Sequence, residues 1–117
     1  MTVYVDNARN PFGRMIMCHM VADTIGELLE MADRLGLDRR HFQPWSHPHF
    51  DVSLGYRKTA VSFEQNPAVP VDKHQLVEIM KRQRQQLEDD PLERAAFEAA
   101  MKASTKGRRM LARHRTA

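Results

Sequence analysis

The stretch from residue 14 to 36, "RMIMCHMVADTIGELLEMADRLG", leaves this chain the fewest choices of fold. An apolar run ends at Asp23, and a helix with signals at both ends begins at once. Asp23 or Thr24 can accept a backbone N–H hydrogen bond of the first turn, and Thr24 with Glu27 fits the capping box. Ile25, Leu28, Leu29, Met31, Ala32 and Leu35 follow helical spacing, and Gly36 supplies a left-handed stop. The spacing predicts a helix over about 24–35. The run before it has Ile16 and Val21, which suit a strand, and methionines, which suit a helix. Periodicity leaves both open, and the helix start that follows favours a strand. A strand feeding directly into a helix points to an α/β layer.

The remaining segments extend that pattern. "TVYV" (2–5) is β-branched and aromatic and reads as a short first strand ending at Asp6. "DNARNPFG" (6–13) reads as a loop. Residues 37–53, with Pro44, Pro48 and several aromatics, read as mostly irregular. "LGYRKTAVSFEQN" (54–66) reads as a short helix, and "AVPV" (68–71) as a short strand. Asp72 caps a helix over 73–88. "DDP" (89–91) breaks it and starts another with Pro91 in the first turn, running to about Ala103. The expected class is α/β: a small sheet of short strands packed with helices, plus a helical C-terminal extension. The expected division is a small α/β domain over 1–82, a helical extension over 83–103, and a basic tail over 104–117, frayed or helical only when bound. The last helices offer a surface for a homodimer.

With 117 residues, one core is feasible and two are not expected. Apolar runs fall short of a bilayer span, so no membrane partner is expected. The N-terminus lacks the basic and apolar regions of a signal peptide, which makes the cytoplasm the default compartment. A single cysteine, Cys18, excludes an internal disulfide and a cysteine-rich zinc site. The net charge of +3 conceals an asymmetry. Six of the 18 Lys and Arg lie from Lys102 onward, where there is no Asp or Glu, and the other 12 face 15 acidic residues. The body is therefore mildly acidic and the tail basic.

Three short motifs in order, "VYVD" (3–6), "GRMIMCHMVAD" (13–23) and "HFD" (49–51), together with "AVPV", resemble the small bacterial and phage proteins grouped as domain of unknown function 4031. The resemblance covers roughly residues 2–82. The family pattern has Tyr where this chain has Phe50. The resemblance implies a shared fold and a shared site, is compatible with a phage or prophage origin, and implies no activity.

The candidate site residues follow from side-chain alternation. In "SHPHFD" (46–51), His47, His49 and Asp51 sit at every second position and share one face if the backbone is extended. An Asp beside a His fixes its tautomer and raises its basicity. Asp6, His19, His49 and Asp51 are the candidate catalytic residues, as acid/base groups or as the oxygen and nitrogen donors of a site for Zn, Mn, Fe or Mg. His19, His49 and Asp51 are the candidate ligands of such a divalent metal. No established metal motif is present. The plainer alternatives are a backbone-bonded histidine for His19, a turn residue for Asp6, a helix cap for Asp23 and Asp51, and an exposed loop residue for His47. Arg14 and Arg40 are the candidate anion binders. Cys18 reads as a small buried hydrophobe, since adjacent strand residues face opposite ways and His19 cannot activate it. In the tail, Lys106, Arg108, Arg109, Arg113 and Arg115 can contact nucleic-acid phosphate.

Two functions compete on this basis. One is a hydrolase acting on a nucleotide or nucleic-acid phosphate through the Asp/His site. The other is a non-catalytic phage-type accessory or inhibitor protein that binds a protein or nucleic-acid partner through its C-terminal helices and basic tail.

Overall fold

The computed structural model describes residues 2–116, with side chains as far as Arg113. Its elements run β1 (Val3–Val5), β2 (Asn10–Phe12), β3 (Met15–Ala22), α1 (Ile25–Leu35), a 3-10 turn (Arg39–His41), β4 (Phe50–Ser53), α2 (Leu54–Ser62), β5 (Val69–Pro70), α3 (Lys73–Asp89), α4 (Pro91–Ala103) and α5 (Thr105–Thr116). The α/β class is as the sequence indicates.

β3 organises the sheet. It pairs antiparallel with β1, β2 and β4, and β1 also pairs parallel with β5. Met17 faces both Asn10 and Ser53, and Met20 faces both Val5 and Phe50. A strand has only two edges, so β1 and β2 share one edge of β3 and β4 takes the other. The segment 3–22 is therefore one hairpin with an interruption. Val5 is opposite Met20 and Asn10 is opposite Met17, so Asp6–Arg9 face only Cys18 and His19. The two extra residues form a bulge beside His19. Two of the short strands carry proline, Pro11 in β2 and Pro70 in β5.

The helix α1 forms for the reasons its sequence gives. Thr24 Oγ1 accepts from the Glu27 N–H at 3.2 Å, and the Glu27 carboxylate takes the Thr24 hydroxyl at 2.8 Å. Gly36 stands at φ 74°, where a side chain would be strained, and the Leu37 N–H closes on Ala32 O. Its apolar stripe (Ile25, Leu28, Met31, Ala32) packs with Val3, Val5, Cys18, Met20 and Ala22 on one sheet face. Phe42, Phe50 and Phe97 meet edge-to-face in the same core, with ring centroids 5.8 and 6.1 Å apart. Phe97, Ala100 and Met101 bring α4 into that core, and Glu93 of α4 accepts from the Ile25 N–H at the start of α1. The other sheet face has a smaller cluster in which Val21 packs with Val71, Leu76 and Ile79 under α3.

Two loop expectations are corrected. Residues 10–12 pair as β2 even though Pro11 gives no N–H, because they lie on an exposed edge. Residues 50–53 pair with the centre of β3, a long-range contact that local composition does not encode. The helix after it ends at Ser62 instead of Asn66. No helix among the described residues is long and apolar enough to cross a membrane.

Cys18 is 1% exposed, and burial, then the Asp6 charge, pushes its thiol up to about 11. Since the thiolate is the reactive form, Cys18 is expected to be inert to a disulfide-exchange reagent at neutral pH in the folded protein and to react fully once denatured. A colorimetric thiol count with and without denaturant checks this.

Candidate functional site

The bulge at residues 6–9 turns Asp6 inward, where it is 3% exposed. Its Oδ1 accepts the His19 backbone N–H at 2.8 Å and its Oδ2 accepts the His19 Nδ1–H at 2.6 Å. The Asp6 carboxylate thus replaces the strand partner that the bulge removes and fixes the His19 ring at the same time. Arg57 of α2 backs it up, donating from Nε to Asp6 O at 2.9 Å. Burial raises the Asp6 pKa, but the hydrogen bonds from the His19 ring and backbone and the His19 charge outweigh it, so the net shift is down. The hydrogen bond to Asp6 raises the His19 pKa against the opposing effect of burial.

The second histidine comes from the loop before β4. His49 donates from Nδ1 to His47 O at 2.8 Å, which assigns its neutral form to the tautomer with a lone pair on Nε2. That Nε2 lies 3.5 Å from Asp51 Oδ1. Asp51 is the cross-strand neighbour of His19 and accepts from Gln43 Nε2 at 2.6 Å on its other oxygen. The rings of His19 and His49 meet edge to face at 5.8 Å, and His47 stacks on His49 at 4.4 Å. Burial, opposed by the hydrogen bond to His47 O, lowers the His49 pKa. His47 is held down to about 3, first by burial and then by the His49 charge. Adjacent histidines are therefore driven in opposite directions: His19 toward the protonated form, His47 and His49 toward the neutral one.

This arrangement carries a stability consequence. A histidine whose folded pKa is depressed resists protonation in the fold but not in the unfolded chain, so its stabilising contribution is lost as pH falls below about 6.5. The melting temperature is expected to fall between about pH 6.5 and 4.5, and His47→Phe, which keeps a ring on His49, is expected to flatten the fall. Thermal denaturation across that range measures it.

The four candidate catalytic residues, Asp6, His19, His49 and Asp51, come together in one place. His47, set aside on sequence grounds as an exposed loop residue, is 7% exposed and stacked into the group. The every-second-residue pattern through Asp51 was the signal for it. Gln43 and Arg57 had no such signal, because only the tertiary fold brings them near. Asp23 lies just past the C-terminal end of β3, four residues on from His19, and because β1 and β3 run antiparallel it faces the start of β1, away from Asp6. There it accepts from the Thr2 N–H and the Tyr4 hydroxyl, and Thr24 is the helix cap. Arg14 is exposed at the β2–β3 turn, five residues along β3 from His19, roughly 16 Å at the ordinary strand rise. Arg40 is exposed on the 3-10 turn, 3.7 Å from Asp38. As for a metal, no group of three or more His, Cys, Asp or Glu among the described residues converges as a ligand set, and His19, His49 and Asp51 do not form one.

Of the three rings only that of His19 reaches solvent appreciably, its side chain being 28% exposed, while His47 and His49 are buried. A cleft of about 180 Å³, lined by Asp23, Thr24, Ile79, Arg82, Gln83 and Gln86, opens beyond the C-terminal end of β3. The basic helix α5 packs against the loop that carries His47 and His49. Lys106 donates to Gln43 Oε1 at 2.9 Å and Arg113 stands 5.9 Å over the Trp45 ring. Arg108 and Arg109 are exposed on the same helix, and the side chain of Arg115 lies outside the described residues.

Residues 3–83 match the family described as protein of unknown function DUF4031. The chain belongs to that family. The match spans both strands of the Asp6–His19 pair, the 42–53 loop and strand, and most of α3. The DUF4031 match ends before α4 and α5, so Lys106 and Arg113 lie beyond it. No curated protein and no solved structure matches the chain.

Proposed function

We propose that this protein is a hydrolase of phosphate esters in nucleotides or nucleic acid, working by general acid–base chemistry between two histidines. The observation that carries the reading is the contact of His19 with His49 under opposite electrostatic pressure. A pair of titratable groups whose environments push their pKa values apart assigns an acid and a base. His19, held protonated by Asp6, is the acid, and neutral His49 is the base.

In the proposed step His49 Nε2 takes a proton from a water molecule as its oxygen bonds to phosphorus. The bond from phosphorus to the leaving oxygen breaks, and His19 Nε2–H donates the proton that this oxygen needs. Asp6 keeps its hydrogen bond to Nδ1 throughout. Asp51 Oδ1 is near enough to stabilise the His49 imidazolium as it forms. Solvent then returns His19 to its protonated and His49 to its neutral state.

The test is hydrolysis of bis(4-nitrophenyl) phosphate and of short oligonucleotides by the wild type and by His19→Ala and His49→Ala. Each variant is expected to lose measurable turnover while keeping its circular dichroism spectrum. The rate is expected to peak between the lowered pKa of His49 and the raised pKa of His19. Wild-type rates in a folded His49→Ala protein would overturn the reading. The exposed cations of α5 favour a second reading, a non-catalytic protein that binds a partner through its C-terminal helices. It predicts that deleting residues 102–117 abolishes function and that the histidine variants do not.

A further inference from the structure

The chain has one tryptophan, and it is 38% exposed in the loop that carries the histidines. Cations from two helices converge on that loop. Arg84 of α3 donates to Ser46 O at 3.1 Å, Lys106 of α5 donates to Gln43 at 2.9 Å, and the Arg113 guanidinium lies over the indole of Trp45. The loop backbone is held in an unusual shape. Ser46 adopts φ 55°, the left-handed region that a serine rarely occupies, and the His47 N–H turns back onto Trp45 O at 2.6 Å. His47, next but one to Trp45, stacks directly on His49. From Lys102 onward the sequence holds no acidic residue to offset the cations of α5.

An exposed aromatic ring flanked by cations is the combination that binds unpaired nucleic acid: bases stack on the ring whatever their identity, and phosphates follow the positive charge. We infer that Trp45 with Arg84, Lys106 and Arg113 forms a platform for single-stranded nucleic acid, a base stacking on the exposed indole and the backbone phosphates passing toward His19 and His49. The inference rests on the hydrolase reading for the position of the scissile phosphate. It narrows the substrate to a strand whose bases are unpaired, because a base in a duplex cannot reach the indole.

The single tryptophan makes its own fluorescence a probe of this place. With His19→Ala protein, which binds without turnover in the proposed mechanism, an oligo-dT strand of about 12 nucleotides is expected to quench the emission saturably and to bind at least tenfold more weakly at about 200 than at about 50 mM salt. Anisotropy of a dye-labelled strand is expected to show about tenfold or greater weakening for Trp45→Ala and near-normal binding for Trp45→Phe, which keeps a stacking ring. Equal or tighter binding of a duplex of the same length overturns the inference. So does heparin competing fully while oligo-dT causes no quenching, which would mean general polyanion attraction. Absence of any binding also overturns it. The two proposals fail separately: hydrolysis of bis(4-nitrophenyl) phosphate without oligo-dT binding leaves the acid–base reading standing. Quenching by oligo-dT without cleavage of any phosphodiester leaves the platform standing and removes the chemistry.

Discussion

Asp6→Asn is expected to release His19 from its protonated state. Asparagine fills nearly the same space, but its amide cannot accept on both sides as the carboxylate does. If its oxygen keeps the His19 backbone N–H, its nitrogen faces His19 Nδ1 and donates to it, which favours the neutral ring with the proton on Nε2. The raised pKa disappears, and with it the alkaline limb of the proposed activity profile moves down. The loss of charge-assisted hydrogen bonds at a site 3% exposed is expected to destabilise the fold by about 1.5–3 kcal/mol. The pH dependence has a definite sign. The raised pKa of His19 contributes stability that is fully present below the unfolded value near 6.5 and is lost as pH rises through the folded value. The lowered pKa of Asp6 contributes stability present above its unfolded value of 3.8 and lost as pH falls through the folded value. The gap between wild type and variant should therefore be widest between about pH 4 and 6.5 and shrink as pH rises through the raised pKa of His19. Titration of the His19 ring by NMR, with urea denaturation at two pH values, measures both effects. An unchanged His19 titration in the variant would show that the carboxylate does not set it.

Gly107→Ala is expected to dislodge the C-terminal helix. Gly107 is buried at the corner between α4 and α5, where its N–H donates to Ser104 Oγ at 2.9 Å. A Cβ there would collide with Met101 O and Ser104 Oγ and come within 2.6 Å of Met101 Cα. Two of these three atoms are backbone and Ser104 is fully buried, so no flexible side chain can give way. Overpacking of this kind costs typically 1–3 kcal/mol. The structure is expected to lower that cost by opening the corner, which draws Lys106 from Gln43 and Arg113 from Trp45. A lower melting temperature, faster tryptic cleavage after the basic residues of α5 and shifted Trp45 emission are the expected signs. A variant with wild-type melting and proteolysis would mean that the corner relaxes without moving the helix.

The ease of reading the sequence followed the locality of the interactions. α1 was legible because Thr24, Glu27 and Gly36 write both its ends within thirteen residues, and the α3–α4 break because Asp90 and Pro91 mark it. β4 was not, since its four residues follow two prolines and owe their conformation to β3, thirty or more positions earlier. That His49 and Asp51 stand close together was legible because side-chain alternation is itself local. His47 was misjudged because burial depends on what covers a loop, and here that includes residues of α3 as far along as Arg84. The contact between Gln43 and Lys106 spans 63 positions and has no signature in either segment.

The prolines of β2 and β5 bear on how the molecule meets copies of itself. A border strand with a free row of N–H groups is a template on which another chain can polymerise. Pro11 and Pro70 each delete a donor from strands of only three and two residues, so at those borders a visiting strand finds almost no ladder to continue. Growth of the sheet from one subunit to the next is disfavoured there by covalent structure. Self-association is left to side-chain packing elsewhere on the surface, where Leu92 of α4 stands 82% exposed.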